Sequence, residues 1–148
     1  MIISSKKTLK ALLIAIIVVF VSTKSFAEDP IRIMLYGDSL MAGYGLSSSE
    51  NLVSELNRNF ETSGSSIIII SASISGNTSK NGLSRIDWSL EDSPSIVILS
   101  LGANDMLRGL NPELTMQNLD SIINKFKKNG SIVILAGMLA SESMGPKY

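Results

Sequence analysis

IRIMLYGDSLMAGYG, residues 31–45, is the stretch on which the reading of this chain turns. Ile31 to Tyr36 is a short apolar run that Gly37 stops, and a polar turn carrying Asp38 and Ser39 follows at once. Short apolar runs with little polar alternation are the pattern of a parallel strand buried on both faces. Three further runs repeat it: Ser66 to Ala72 (SIIIISA), Ser95 to Leu101 (SIVILSL) and Ser131 to Met138 (SIVILAGM). Four strands of one kind are expected.

The intervals between them read as helices. Ser47-x-x-Glu50 has the form of a capping box and predicts a helix from there to Gly64. A second is expected from Thr78 to Leu90, turning Leu83, Ile86 and Leu90 inward. Asn111 and Pro112 supply an N-cap and N1 pair for a third that stops at Gly130. Within it Leu119, Ile122, Ile123 and Phe126 fall at i, i+3, i+4 and i+7, which is one buried stripe. The alternation β-α-β-α-β-α-β with short connections predicts right-handed crossovers and an α/β fold, a three-layer α/β/α doubly wound parallel sheet.

In such sheets ligands bind beyond the carboxyl ends of the strands. The segments that leave the four strands are 37–45 (GDSLMAGYG), 73–78 (SISGNT), 102–109 (GANDMLRG) and 139–148, and all should meet on one edge. The first offers Ser39, a hydroxyl at a strand-to-helix turn whose own N–H can face a developing oxyanion. The second brings Gly76, where the missing side chain lets a backbone N–H approach a substrate closely. The third brings Asn104, whose amide is a neutral donor that does not compete for a nucleophile's proton. Taken singly, each has a plainer reading: a common turn at Ser39, a turn glycine at Gly76, an Asx turn or helix cap at Asn104-Asp105. Together, at successive strand ends, they make an acyl-transfer site.

Composition narrows the chemistry further. The chain of 148 residues allows one domain and has 13 basic and 13 acidic side chains, so no global field points to nucleic acid. It has no cysteine, which excludes disulfides, Cys-ligated zinc, iron–sulfur clusters and thiol catalysis. Lys6, Lys7 and Lys10 precede eleven unbroken apolar residues, Ala11 to Val21, and Ser25-Phe26-Ala27 offers small residues at a cut. Residues 1–27 therefore read as a secretory signal peptide cleaved after Ala27, because eleven residues fall short of the ~20 of a spanning helix. With Lys24 these residues hold four lysines and no acid, which leaves nine basic against 13 acidic residues from Glu28 onward, a formal charge of −4. A periplasmic or secreted, mildly acidic protein is expected, with no membrane span after cleavage.

The segments 37–45 and 73–88 (SISGNTSKNGLSRIDW), with 101–110 (LGANDMLRGL) and 135–148 (LAGMLASESMGPKY), resemble in order the successive blocks of the SGNH, or GDSL-type, hydrolases. The periplasmic thioesterase I, lysophospholipase and arylesterase branch is the nearest in pattern. The resemblance implies a flavodoxin-like fold over residues 28–148 and an esterase or thioesterase that needs no metal and no organic cofactor. It implies that Ser39 is the nucleophile and that Ser39 N–H, Gly76 N–H and the Asn104 amide form the oxyanion hole. Asp38 would brace the nucleophile turn and Asp105 the Asn104 loop. Residues 144–148 would line an acyl cleft, with Met106 and Leu107 as candidate apolar wall. Asn77 stands where the branch often has an acid, and Ser141-Glu142-Ser143 replaces a Pro-containing stretch.

The departure that matters most is histidine. Members of the family continue after this loop with a helix, a strand and an Asp-x-x-His segment, whereas these 148 residues contain no His. A serine hydroxyl needs a base within hydrogen-bond reach to attack near neutral pH. Lys80, four residues beyond Gly76, would have to be buried to serve and reads instead as a solvated first-turn residue; Lys147 and Asp105 fare no better. The first expectation is therefore the N-terminal part of an exported serine esterase or thioesterase, a fold incomplete at its C-terminal side and inactive without the missing segment. The second is a catalytically silent module that captures acyl chains or a partner in the same cleft. The third is an uncleaved form anchored at a membrane.

Overall fold

The computed structural model describes residues 29–140 and 142–145; the expected signal segment 1–27 and the tail 146–148 lie outside the described residues. Four strands form one parallel sheet: β1 (Ile31–Gly37), β2 (Ile67–Ser71), β3 (Ile96–Ser100) and β4 (Ile132–Leu135), in the order β2-β1-β3-β4. The helices between them are α1 (Ser39–Ala42), α2 (Leu52–Ser63), α3 (Ser79–Leu90), α4 (Ala103–Leu107) and α5 (Pro112–Lys128), and a 3₁₀ turn covers Glu142–Met144. The expected α/β architecture is present.

Register explains how the faces are used. Ile33 pairs with Ile96 and Ile96 with Ile132, while Met34 pairs with Val97 and Val97 with Val133, so odd and even positions of β1 mark opposite faces. On the second face Met34, Tyr36, Val97 and Leu99 pack with Ile86 of α3 and with Ile122 and Phe126 of α5, all of them fully buried. Leu83, Leu90, Leu119 and Ile123 close around this cluster, so the stripes read in the sequence do face inward. The rings of Tyr36 and Phe126 meet edge-on with centroids 5.2 Å apart. α2 packs on β2 and contributes nothing to this cluster, so it takes the other face.

Two expectations are corrected. Only β1 and β3 are enclosed, because β2 and β4 are edge strands and the described residues leave uncovered the face of β4 that carries Ile132 and Ile134. Ile132 is 65% and Ile134 51% exposed there. β2, β3 and β4 are also shorter than their apolar runs, β4 stopping at Leu135, whereas β1 extends one residue further, to Gly37. The Ser47-x-x-Glu50 segment, secondly, does not open a helix. Ser47 Oγ donates to Glu50 Oε2 at 2.6 Å and closes a turn on itself. α2 instead starts after Asn51, whose Oδ1 accepts from Ser54 N at 2.9 Å. Asx side chains compete well for this position. Asn111-Pro112 opens α5 as expected, and α3 starts at the expected Thr78, where Thr78 and Asn81 form a capping box that the sequence reading did not name.

Gly82 lets α3 lie close to the sheet. A Cβ there would stand 2.4 Å from Leu101 Cδ1 and 3.3 Å from Ile122 Cδ1, and the Gly82 carbonyl accepts from Tyr36 Oη at 2.6 Å. An alanine would gain helix propensity but overpack two branched side chains. Gly82→Ala is expected to lower stability by about 1 kcal/mol and Tm by a few degrees. An unchanged or higher Tm in thermal unfolding would show that Leu101 and Ile122 move aside freely.

Candidate functional site

The carboxyl ends of the strands carry the site, and the chain turns sharply there. Gly37 ends β1 against β3: a Cβ on it would lie 2.6 Å from Met41 Cγ and 2.7 Å from the Ser100 carbonyl, so only glycine fits. Asp38, fully buried, caps α1 by accepting from Leu40 N at 3.1 Å. Ser39 is thereby the first residue of α1, half-buried at the edge of the sheet.

The loop after β2 is laced to the end of β1. Ser73 Oγ donates to the Leu35 carbonyl at 2.8 Å and Ile74 N to the Gly37 carbonyl at 3.0 Å. Gly76 follows with φ +81°, a left-handed conformation that other residues rarely adopt, and Asn77 N closes the turn onto Ile74 O at 3.1 Å. The loop after β3 forms the one-turn α4. It carries Asn104, whose Nδ2 donates to the Asn77 carbonyl at 3.0 Å and lies 3.4 Å from Asp38 Oδ2. One amide thus reaches the residue before Ser39 and the residue after Gly76. The three segments singled out in the sequence do converge.

Asp105 lies just behind. It is 2% exposed and accepts from Ser79 N at 2.7 Å, from Ser79 Oγ at 2.6 Å and from Thr115 Oγ1 at 3.2 Å. It ties α4 to the starts of α3 and α5.

The sequence reading missed two arginines. Arg108 donates to the Gly76 carbonyl at 2.9 Å. Arg85 donates from Nε to Asn77 Oδ1 at 2.9 Å and from Nη2 to the Gly37 carbonyl at 3.4 Å, with Cζ 4.0 Å from the Tyr36 ring centroid. Burial pulls the Arg85 pKa below the ordinary arginine value, an effect the neighbouring Tyr36 opposes. Burial also raises the Tyr36 phenol above the usual tyrosine value, with the Arg85 charge opposing it. The one signal available was an arginine beside the inward stripe of α3, between Leu83 and Ile86.

An apolar cavity of about 270 Å³ lies at the same edge, between α4, α5 and the chain after β4, walled by Leu101, Met106, Leu119, Leu135 and Met138. Met106 lines it as expected, whereas Leu107 is 71% exposed and is not part of the wall. Of the expected lining 144–148, residues 146–148 lie outside the described residues. Lys80 is exposed in the first turn of α3, as read from the sequence, and Lys147 lies outside the described residues. Among the described residues no group of three or more metal-ligating side chains is assembled, and no helix is long and apolar enough to cross a membrane.

Residues 35–148 match the GDSL-like lipase/acylhydrolase family. The chain belongs to that family. Among curated GDSL relatives it is 38% identical to the esterase TesA of Pseudomonas aeruginosa over 78% of this chain and 58% of that protein. It is 34% identical to the thioesterase 1/protease 1/lysophospholipase L1 of Escherichia coli over 88% of this chain and 61% of that protein. Among solved structures it superposes on AlinE4, an SGNH-hydrolase family esterase, with a TM-score of 0.74 and 38% identity, covering 80% of this chain and 65% of that one. The chain therefore spans about three-fifths of the length of these GDSL proteins. By family it is classed with the ester and thioester hydrolases.

Proposed function

We propose that these residues are the nucleophile and oxyanion half of a serine esterase or thioesterase. Ser39 Oγ attacks the carbonyl carbon of an acyl ester or thioester. The carbonyl electron pair moves onto oxygen, where Ser39 N–H, Gly76 N–H and the Asn104 amide stabilise it, and collapse expels the alcohol or thiol. Water then frees the acid from Ser39. The single observation that supports this reading is the Asn104 amide, 3.0 Å from the Asn77 carbonyl and 3.4 Å from Asp38, which joins the loops of all three residues. The apolar cavity beside α4 suits an acyl chain. Asp38 and Asp105 are supports, since both spend their oxygens on neighbouring donors. The basic, apolar and small-residue pattern of residues 1–27 supports export to the periplasm or beyond.

The base that deprotonates Ser39 comes, on this reading, from outside the 148 residues, which contain no histidine. That same observation favours a second reading, an acyl-binding module without turnover. One experiment separates them. The protein is purified from its native source, weighed intact, treated with a fluorophosphonate and assayed with p-nitrophenyl butyrate. Hydrolysis together with one phosphonyl group on Ser39 is the expected result. Neither labelling nor hydrolysis, with saturable binding of a fatty acid, would replace the hydrolase by the binding module.

A further inference from the structure

We infer that Arg85 and Arg108 are positioning residues that grip the Gly76–Asn77 turn from two sides and hold its backbone in one orientation; the inference rests on the oxyanion reading only for its catalytic consequence. The turn has a reason to need holding. Gly76 has φ +81° and no side chain, and Asn77 N is its one internal backbone hydrogen bond, so the local chain alone restrains it weakly. Two carbonyls and one side-chain amide then fix it. Arg108 takes the Gly76 carbonyl from the end of α4, Asn104 takes the Asn77 carbonyl, and Arg85 takes the Asn77 side chain from α3.

Arg85 is suited to this by its surroundings. It is half-buried, and among the described residues no carboxylate forms an ion pair with it, the two pairs present being Arg58–Glu55 and Lys125–Asp87. Its donors go instead to neutral acceptors, Asn77 Oδ1 and the Gly37 carbonyl, and its face lies on Tyr36. One planar guanidinium therefore bridges the end of β1, just before Ser39, and the turn after β2. A lysine cannot make that bridge, because it has one nitrogen and no plane to lay on the ring. The acceptor on the turn is neutral, so the positive charge near the proposed oxyanion is left in force.

Amide hydrogen exchange tests this on the chain itself. The reporters are Asn77 N, bonded to Ile74 O at 3.1 Å, and Thr78 N, bonded to Asn81 Oδ1 at 3.0 Å; Leu99 in the core of β3 is the reference. Arg85→Gln and Arg85→Lys are each expected to speed exchange at Asn77 and Thr78 about tenfold and leave Leu99 unchanged. Arg108→Gln, at an exposed site, should do so about threefold. Asn77→Asp should slow exchange in the parent by turning the contact into a charge-assisted bond, and have no such effect in the Arg85→Gln background. Exchange that stays as in the parent at both reporters, or that rises equally at Leu99, overturns the grip. The catalytic arm is separate: where the protein hydrolyses p-nitrophenyl butyrate, Arg85→Gln should lower kcat about tenfold with KM within twofold. A protein purified from its native source that is neither labelled on Ser39 nor hydrolyses the ester sinks the hydrolase reading, and the exchange result on these residues still decides the grip.

Discussion

In the full-length protein, which on the proposed reading supplies the general base, Ser39→Ala is expected to remove hydrolysis of short acyl esters, by on the order of 10⁴- to 10⁶-fold in kcat, while Tm moves by no more than about 2 °C. The two halves of that expectation have separate causes. The catalytic loss follows because no other hydroxyl stands at the turn between β1 and α1, and water without an acyl-enzyme route gains only what the donors give. The stability is retained because the cap of α1 is made by Asp38, not by Ser39, and alanine is a good residue at the first helical position. Asn104→Ala has a different signature. It should cost about 10²- to 10³-fold in kcat with little change in KM, as the loss of one oxyanion donor does. It should also lower Tm by several degrees, since the same amide ties the α4 loop to Asn77. Measured kcat, KM and Tm for the two variants check both. Hydrolysis that survives Ser39→Ala would end the assignment of Ser39, and a rise in KM at constant kcat for Asn104→Ala would end its oxyanion role.

What was legible in the sequence had short range or strong period. The four Ile-rich runs could be nothing else at that length, and the stripe Leu119, Ile122, Ile123, Phe126 fixed which side of α5 meets the sheet. α1 and α4 escaped notice because four and five residues carry no period, and only the caps at Asp38 and Gly102 mark them. The start of α2 was misplaced because Ser47 and Glu50 satisfy each other in a turn, leaving Asn51 as the better cap. The edge position of β4 was also hidden. Ile132 and Ile134 look like core in sequence, and it is the neighbour on their face, not their composition, that decides burial. At the site, Ser39, Gly76 and Asn104 could be named from the loops, but most of the contacts that hold those loops span 27 to 66 residues of sequence. No local pattern announces such partners.

Asp105→Ala is the substitution expected to harm the fold most among those of the site, by roughly 3–4 kcal/mol and a fall in Tm of about 12 °C or more. The carboxylate is 2% exposed and is the common acceptor for three donors on two other helices: Ser79 N and Ser79 Oγ at the start of α3, and Thr115 Oγ1 in α5. Asn118 Nδ2 extends the network by donating to Ser79 Oγ at 3.0 Å. Removing the acceptor leaves buried donors facing an empty space, and each such donor carries its own desolvation cost. Asp105→Asn keeps the shape and one acceptor oxygen but turns a second N–H toward Ser79, so about half the loss is expected. Because α4 carries both Asp105 and Asn104, the two variants should also slow any turnover, Asp105→Ala the more. Thermal unfolding followed by circular dichroism measures the shifts. A fall of less than 3 °C for Asp105→Ala would mean that Ser79 and Thr115 find other acceptors, and that the carboxylate does not hold the α4 loop at the strand ends.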